Sequence, residues 1–301
     1  MPIAPQPLAV VVTFAALATA MAALWAPRLA AARSADRWWI APFALALSAA
    51  VAGDLVDTRG LLAVAALVAA CRLGEHRRDG GLRGFALAAM LALGGGLLVH
   101  AVPGFANPIV IDGVRLSADS LPYTKYLNLD KGVLGLLLLG LHAPARARRA
   151  PAPGSVVTAT WQFAIVAAAV MALTVAVGYA RWDPKLPSWW PLWLGSMVFL
   201  TALPEEAVFR HVVQGGLQSW LGDTPRARTA ALAASAGLFG LAHLGGGWTY
   251  VLLATTAGLG YALVYARTGS VLAAIATHTG LNLLHFLLFS YPALSPHSGH
   301  S

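Results

Sequence analysis

The chain holds three glutamates, Glu75, Glu205 and Glu206, and the last two are adjacent inside the apolar stretch that runs from Phe199 to Arg210. A charged side chain at the centre of a bilayer costs at least ~2.5–3.5 kcal/mol on insertion scales. Two carboxylates and a guanidinium in such a stretch therefore need partners or a task. Arg210 stands four residues after Glu206, so the two share a helix face and can pair. Glu205 points about 100° away from Glu206 around the helix and gains nothing from that pair. A buried ion pair that locks a bundle would account for Glu206 and Arg210 and leave Glu205 unexplained. Two further spacings of four follow, Phe239 with His243 and His278 with Asn282. A lone histidine on an apolar helix is more often a satisfied core residue than a catalyst, and asparagine often only bridges helices. Taken together, a free carboxylate, two imidazoles and a carboxamide make up the inventory of a hydrolytic site: base, second proton carrier and oxyanion donors.

The elements that must carry these groups are membrane helices. Of 301 residues 58% are hydrophobic and 11% charged, with a mean hydropathy of +0.69. A soluble domain would carry about 25% charged residues, and a disordered chain would be far less apolar. Apolar runs occur near Leu8–Trp25, Trp38–Val56, Gly60–Cys71, Gly84–Val102, Gly132–Leu141, Val156–Ala180, Trp190–Val213, Thr229–Leu244, Trp248–Ala266 and Ser270–Phe289. The third and fifth are short against the roughly 20 residues a span requires, which allows re-entrant segments there. The expected fold is all-α: a polytopic transmembrane bundle of about ten spans with both termini outside. Charge supports that count. Alternate connecting segments hold 13 basic residues, in clusters such as Arg28-Arg33-Arg37, Arg72-Arg77-Arg78-Arg83 and Arg146-Arg148-Arg149, against six on the opposite side. This is the positive-inside pattern, and it accounts for the net charge of +8 without nucleic acid. Trp38, Trp39, Trp189, Trp190, Trp193 and Trp248 fall near span ends, where interfacial anchors belong. The stretch before Arg28 has no basic n-region, so a retained helix is favoured over a signal peptide. In the long outer segment, the alternation of Pro108–Leu116 around Asp112-Gly113 predicts a small hairpin. One cysteine, Cys71, allows neither an internal disulfide nor a cysteine-based zinc site.

Glu205-Glu206-x-x-x-Arg210, Phe239-x-x-x-His243 and His278-x-x-x-Asn282, in this order, resemble the CPBP family of intramembrane proteases. That family is named for CAAX-prenyl endopeptidases and bacteriocin-processing proteins and is also called Abi. The contexts Phe209-Arg210-His211, Phe239–Leu244 and Thr268-Gly269-Ser270 are similar as well, and the resemblance covers about Trp190 to Phe289. It implies that residues 182–290 form a catalytic bundle of about four spans. Residues 1–181 are then a region of about six spans with no assigned role, and 291–301 a disordered tail. It implies Glu205 as general base helped by His243, with His278 and Asn282 as oxyanion donors and Glu206 and Arg210 positioning Glu205 and tuning its charge. Glu205, His243 and His278 also form a His2Glu set, so a divalent metal such as zinc is the alternative; the metal-free mechanism is favoured, with no cofactor required.

Other intramembrane protease signatures are missing. The chain has no His-Glu-x-x-His, no Gly-x-Ser-x-Gly, no rhomboid Gly-x-Ser-Gly and no Gly-x-Gly-Asp. The expected function is endopeptidase cleavage of a membrane-associated peptide in a bacterial inner membrane, the substrate being a leader or a C-terminal sorting segment. The alternatives are a non-catalytic immunity or scaffold protein of the same fold, and a transporter that couples protons through the buried carboxylates. One conflict follows from these boundaries. Glu205 lies ~20 Å from the outer face and His243 ~20 Å from the inner face. In a core of ~30 Å they would miss by roughly 10 Å in depth. A kink at Pro204, or an inward-dipping 214–221, would be needed, giving motif helices of irregular length around a polar cavity.

Overall fold

The computed structural model describes residues 3–25, 37–74, 80–143 and 153–295. The clusters at Arg28 and Arg33, at Arg77 and Arg78, and at Arg146–Arg149 lie outside these residues, as do Glu75 and the tail histidines His297 and His300. The fold is mostly helical, with ten helices among the described residues. They are α1 (Leu8–Ala23), α2 (Ile40–Ala52), α3 (Thr58–Gly74), α4 (Gly80–Leu98), α5 (Leu129–Leu137, prolonged as π-helix over Leu138–His142), α6 (Pro153–Ala176), α7 (Trp190–Leu221), α8 (Pro225–Leu241), α9 (Trp248–Thr268) and α10 (Val271–Leu288). Each apolar run falls in one of them. Five, α4, α6, α7, α9 and α10, are long and apolar enough to cross a membrane, and α1 and α2 are shorter apolar helices. The protein is therefore an integral membrane protein by the length and composition of these helices.

The short fifth run is the centre of the bundle. Apart from Lys131, every residue of α5 over Leu129–Leu137 is buried. At 1.5 Å per residue, α5 with its π extension reaches about 21 Å, less than a bilayer core of ~30 Å. It packs on α1 through Gly132 against Leu17 and Met21, and on α7 through Gly135 against Leu203 and Pro204. A Cβ at Gly135 would stand 2.8 Å from Pro204 Cα, so only glycine lets the two backbones approach this closely. One contiguous core thus joins the N-terminal helices to α7 and α10.

The connecting segments gather by side. Ala4 N–H donates to Val110, Ala106 to Leu55, Leu121 to Ala293, Leu294 to Tyr179 and Ser290 to Arg181. The segments before α1, after α2, before α5, after α6 and after α10 are thereby stitched into one face. The hairpin expected around Asp112-Gly113 forms differently. Residues Ile109–Val114 make a single strand, β1, which pairs antiparallel with β2 (Tyr123–Tyr126). Gly113 takes φ +61 inside β1, where the register shifts between Ile111 and Val114, so Asp112-Gly113 makes a bulge and not a turn.

The tryptophans divide. Trp38 and Trp248 are exposed as anchors would be, whereas Trp39, Trp189 and Trp193 are buried. Trp193 stacks on Phe286 at 4.2 Å between centroids, joining α7 to α10. Position near a run's end marked these residues as interfacial; packing between helices claims them instead.

Candidate active site

The motif residues sit on α7, at the end of α8 and on α10, and the geometry of α7 resolves the depth conflict. The helix does not stop at Val213. It runs unbroken to Leu221, and after the turn at 222–224 the chain enters α8, where Thr224 caps the N-terminus and Pro225 takes the first turn. Measured along the two helices from that turn, Glu205 lies about 25 Å away and His243 about 28 Å. They reach nearly the same level: the eight residues by which α7 continues past Val213 close the gap, whereas the start of α8 at Pro225 and not Thr229 only moves His243 further from the turn.

Pro204 does not break α7. A proline has no N–H to donate, and its ring crowds the carbonyl four residues back. The preceding turn, Val198–Ala202, is wound as π-helix, with Leu203 N–H bonded to the Val198 carbonyl five residues back. A second π segment follows over Ala207–Gln214. The two wide turns hold Glu205 and Glu206 between them on a single α-helical turn, Leu203–Glu206.

Glu206 is wholly buried and fully used. Arg210 Nε donates to its Oε2 at 2.7 Å, and His278 Nδ1 lies 2.9 Å from its Oε1. Arg210 also donates to Ser235 Oγ at 2.7 Å, and Ser235 donates on to the Phe209 carbonyl. The guanidinium lies over the rings of Phe239 and Tyr261, a setting that favours a desolvated cation. The Glu206–Arg210 pair therefore orients His278 directly. His278 is clamped further by a parallel stack on Tyr261, 4.6 Å between centroids, and by the edge of Phe239.

Glu205 is in a different state. The cation beside it is Lys131 of α5, with Nζ 3.5 Å from Oε1, whereas Arg210 is engaged by Glu206 and Ser235. Its other oxygen, Oε2, is buried, has no hydrogen-bond partner among the described residues, and lies 4.0 Å from His278 Nε2. Lys131 carries no family motif and lies far outside the matching third of the chain. The signal for it was Asp130-Lys131 at the head of an apolar run too short to span.

His243 follows the last turn of α8, where its Nδ1 lies 2.7 Å from the Phe239 carbonyl. A carbonyl only accepts, so this bond assigns the proton to Nδ1 and leaves Nε2 as the free nitrogen. Asn282 lies one turn beyond His278 on α10, and its Nδ2 donates to Met197 Sδ at 3.3 Å, a weak acceptor that a better one can displace. Glu205, His243, His278 and Asn282 line one cavity of about 340 Å³, which reaches Tyr179, Tyr250 and Tyr291 on the stitched face. Glu206 and Arg210 stand behind it and do not line it.

Among the described residues, no group of three or more His, Cys, Asp or Glu side chains is arranged to hold a metal ion. His278 has turned Nδ1 to Glu206, and its Nε2 stands 4.0 Å from Glu205. In this arrangement the His2Glu set is not gathered as metal ligands.

Fold and site define a class: helical membrane proteins that enclose a polar cavity with buried carboxylate, imidazole and carboxamide groups. Residues 187–284 match the family model described as Type II CAAX prenyl endopeptidase Rce1-like. The matched segment contains Glu205, Glu206, Arg210, His243, His278 and Asn282 and is consistent with the CPBP resemblance of the motifs. It supports peptidase activity in a membrane setting. No curated protein and no solved structure matches the chain.

Proposed function

We propose that the protein is an intramembrane endopeptidase that activates water with Glu205. The observation that carries this reading is Oε2 of Glu205, a buried carboxylate oxygen on the wall of a cavity without a hydrogen-bond partner among the described residues. Buried polar atoms are nearly always hydrogen-bonded, so an orphan in a cavity calls for a bound polar group, and water is the smallest. In the proposed reaction Glu205 takes a proton as the water oxygen bonds to the scissile carbonyl carbon. Asn282 and His278 donate to the oxygen that gains charge, His278 through Nε2–H as an imidazolium whose Nδ1–H donates to Glu206. Collapse of the tetrahedral intermediate breaks the C–N bond, and the proton passes from Glu205 to the leaving amine with the free Nε2 of His243 at hand. Lys131 holds the carboxylate in place and balances its charge. The mechanism is metal-free on this proposal, so chelators leave the rate unchanged.

The topology proposed with it is about ten membrane-associated helical segments with both termini outside. The hydrogen-bonded face supports this, because it unites residues 3–6 and 289–295 with the sparsely basic segments. The setting is a bacterial inner membrane, and the substrate a leader or C-terminal sorting segment, with no nucleic acid involved. Residues 182–290 carry the catalytic motifs and residues 1–181 complete them through α5.

The test compares membrane-protein termini in cells carrying the wild type, Glu205→Gln or no copy. A terminus that exists only with the wild type establishes proteolysis and names the substrate. Identical termini in all three, with the variant accumulating normally, reject the endopeptidase in favour of a binding protein.

A further inference from the structure

Beside the catalytic cavity lies a second one, of about 520 Å³, between the β1–β2 segment and the outer ends of α5 and α7. The two share a wall made of Met197, Thr201 and Tyr291. The second cavity is lined by Lys125, Lys131 and His100 and by no carboxylate. Lys131 has its counter-charge in Glu205. Lys125 has no direct partner: it is 7% exposed, and no hydrogen bond or ion pair among the described residues engages its Nζ. Lysine is almost never this buried without a partner. Strand β2 holds it there, with Lys125 opposite Ile111 and with the buried Tyr123 packed on Trp189 and Tyr291.

We propose that Lys125 binds a carboxylate of the substrate, so that this outer cavity selects peptides bearing an acidic group a few residues from the scissile bond. The proposal rests on the endopeptidase reading for what the carboxylate is attached to. An ammonium in a cavity without acids, one wall away from the reacting groups, is the complement of a single negative charge. Asn107, Thr124 and Asn128 add neutral polar groups around the same space. Two sources supply the same chemistry, a Glu or Asp side chain and a free C-terminus. A charge-assisted bond to a desolvated lysine contributes enough to separate acidic from neutral ligands by about tenfold or more.

The test uses the full chain in detergent micelles and fluorescent short peptides of Leu, Ala and Val. One glutamate is moved along the peptide, each peptide is made with a free or amidated C-terminus, and an all-neutral amide is the reference. Binding is read by anisotropy on Glu205→Gln/Lys131→Met protein, which does not consume the peptide and leaves Lys125 as the lysine of the cavity, and cleavage is read on the wild type. The expected result is at least about tenfold tighter binding of one carboxylate register. Lys125→Met should abolish that preference and Lys125→Arg should keep it. Amidation abolishes the preference if the C-terminus is the source and leaves it intact if the side chain is. Equal or absent binding of acidic and neutral peptides overturns the proposal, as does an acid preference that survives Lys125→Met. Cleavage without acid preference leaves the endopeptidase standing and removes the anion site. A Lys125-dependent preference with no cleavage of any peptide does the reverse.

Discussion

Replacing Glu206 by glutamine leaves Arg210 wholly buried without its counter-ion, and breaking such a pair costs about 3–5 kcal/mol. Replacing Glu205 removes a carboxylate whose nearest cation stands at 3.5 Å and leaves Lys131 on the wall of the outer cavity, where water can reach it, so the fold should lose less than it does for Glu206→Gln. The adjacent glutamates are therefore separable. Thermal unfolding in detergent should drop sharply for Glu206→Gln and less for Glu205→Gln, while peptide cleavage is abolished in Glu205→Gln at full protein level. Similar unfolding temperatures for both variants would mean that Arg210 is held by something other than Glu206. A second residue-scale expectation concerns Lys125. Burial first, then repulsion from Lys131, holds its ammonium down to about 8 from 10.5, with Glu205 acting in the opposite sense. Between those values the unfolded chain binds more protons than the folded one, so stability rises with pH across the window, and the penalty is fully present below it. Lys125→Met should therefore unfold at a higher temperature than wild type at pH 7. The difference should vanish above pH 10.5, and an equal gap at both pH values would reject this account.

At the level of the helices, Pro204 and Gly135 set where the carboxylate points. Pro204→Ala gives residue 204 an N–H and removes the reason for the π turn at Val198–Ala202. The variant should be as stable as wild type or more so, yet cleave at least about tenfold more slowly because Glu205 rotates away from the cavity. Retained activity would show that the wide turn is not what aims Glu205. Gly135→Ala works from the other side. Its methyl meets Leu203 and Pro204, at a cost of about 1–3 kcal/mol, and moves α5, with Lys131 one turn earlier, away from α7. The sequence made the polar residues of this region legible and its backbone illegible. Glu205, His243, His278 and Asn282 stood out because ionisable and amide groups are rare in apolar runs and recur at a spacing of four. They line one cavity, as three motifs in order implied. The ends of α7 and α8 did not stand out, because Gln214–Leu221 is too polar to read as membrane although it is helical. Nor did Lys131, because hydropathy reports only that a run is apolar. It does not say that a short run lies at the centre of the bundle.

For the molecule as a whole, orientation can be read from chemical labelling, because Cys71 is the sole cysteine and is buried. In a Cys71→Ala background, single cysteines placed at the exposed Trp182 or Leu186 should react in intact cells with a maleimide that does not cross membranes. Cysteines at the exposed Ser219 or Arg226 should react only after permeabilisation. The opposite pattern would invert the proposed topology and move the cavity mouth to the cytoplasm.

The span of chain that the site draws on has a temporal meaning as well. Lys131 belongs to the first half of the chain, Glu205 and His243 follow, and His278 and Asn282 arrive with α10, the last helix described. Synthesis proceeds from the N-terminus, so the cation is in place well before the carboxylate it faces, and the groups proposed as oxyanion donors come last. Until α10 docks, Glu206 and Arg210 have each other and His243 has its Phe239 carbonyl, but His278 and Asn282 are missing and the cavity lacks a wall. A nascent chain emerging from the insertion machinery thus carries the base without the means to stabilise what the base would create. On the proposed mechanism, proteolytic competence switches on as a final event of assembly, which would protect the growing chain and its neighbours from premature cutting.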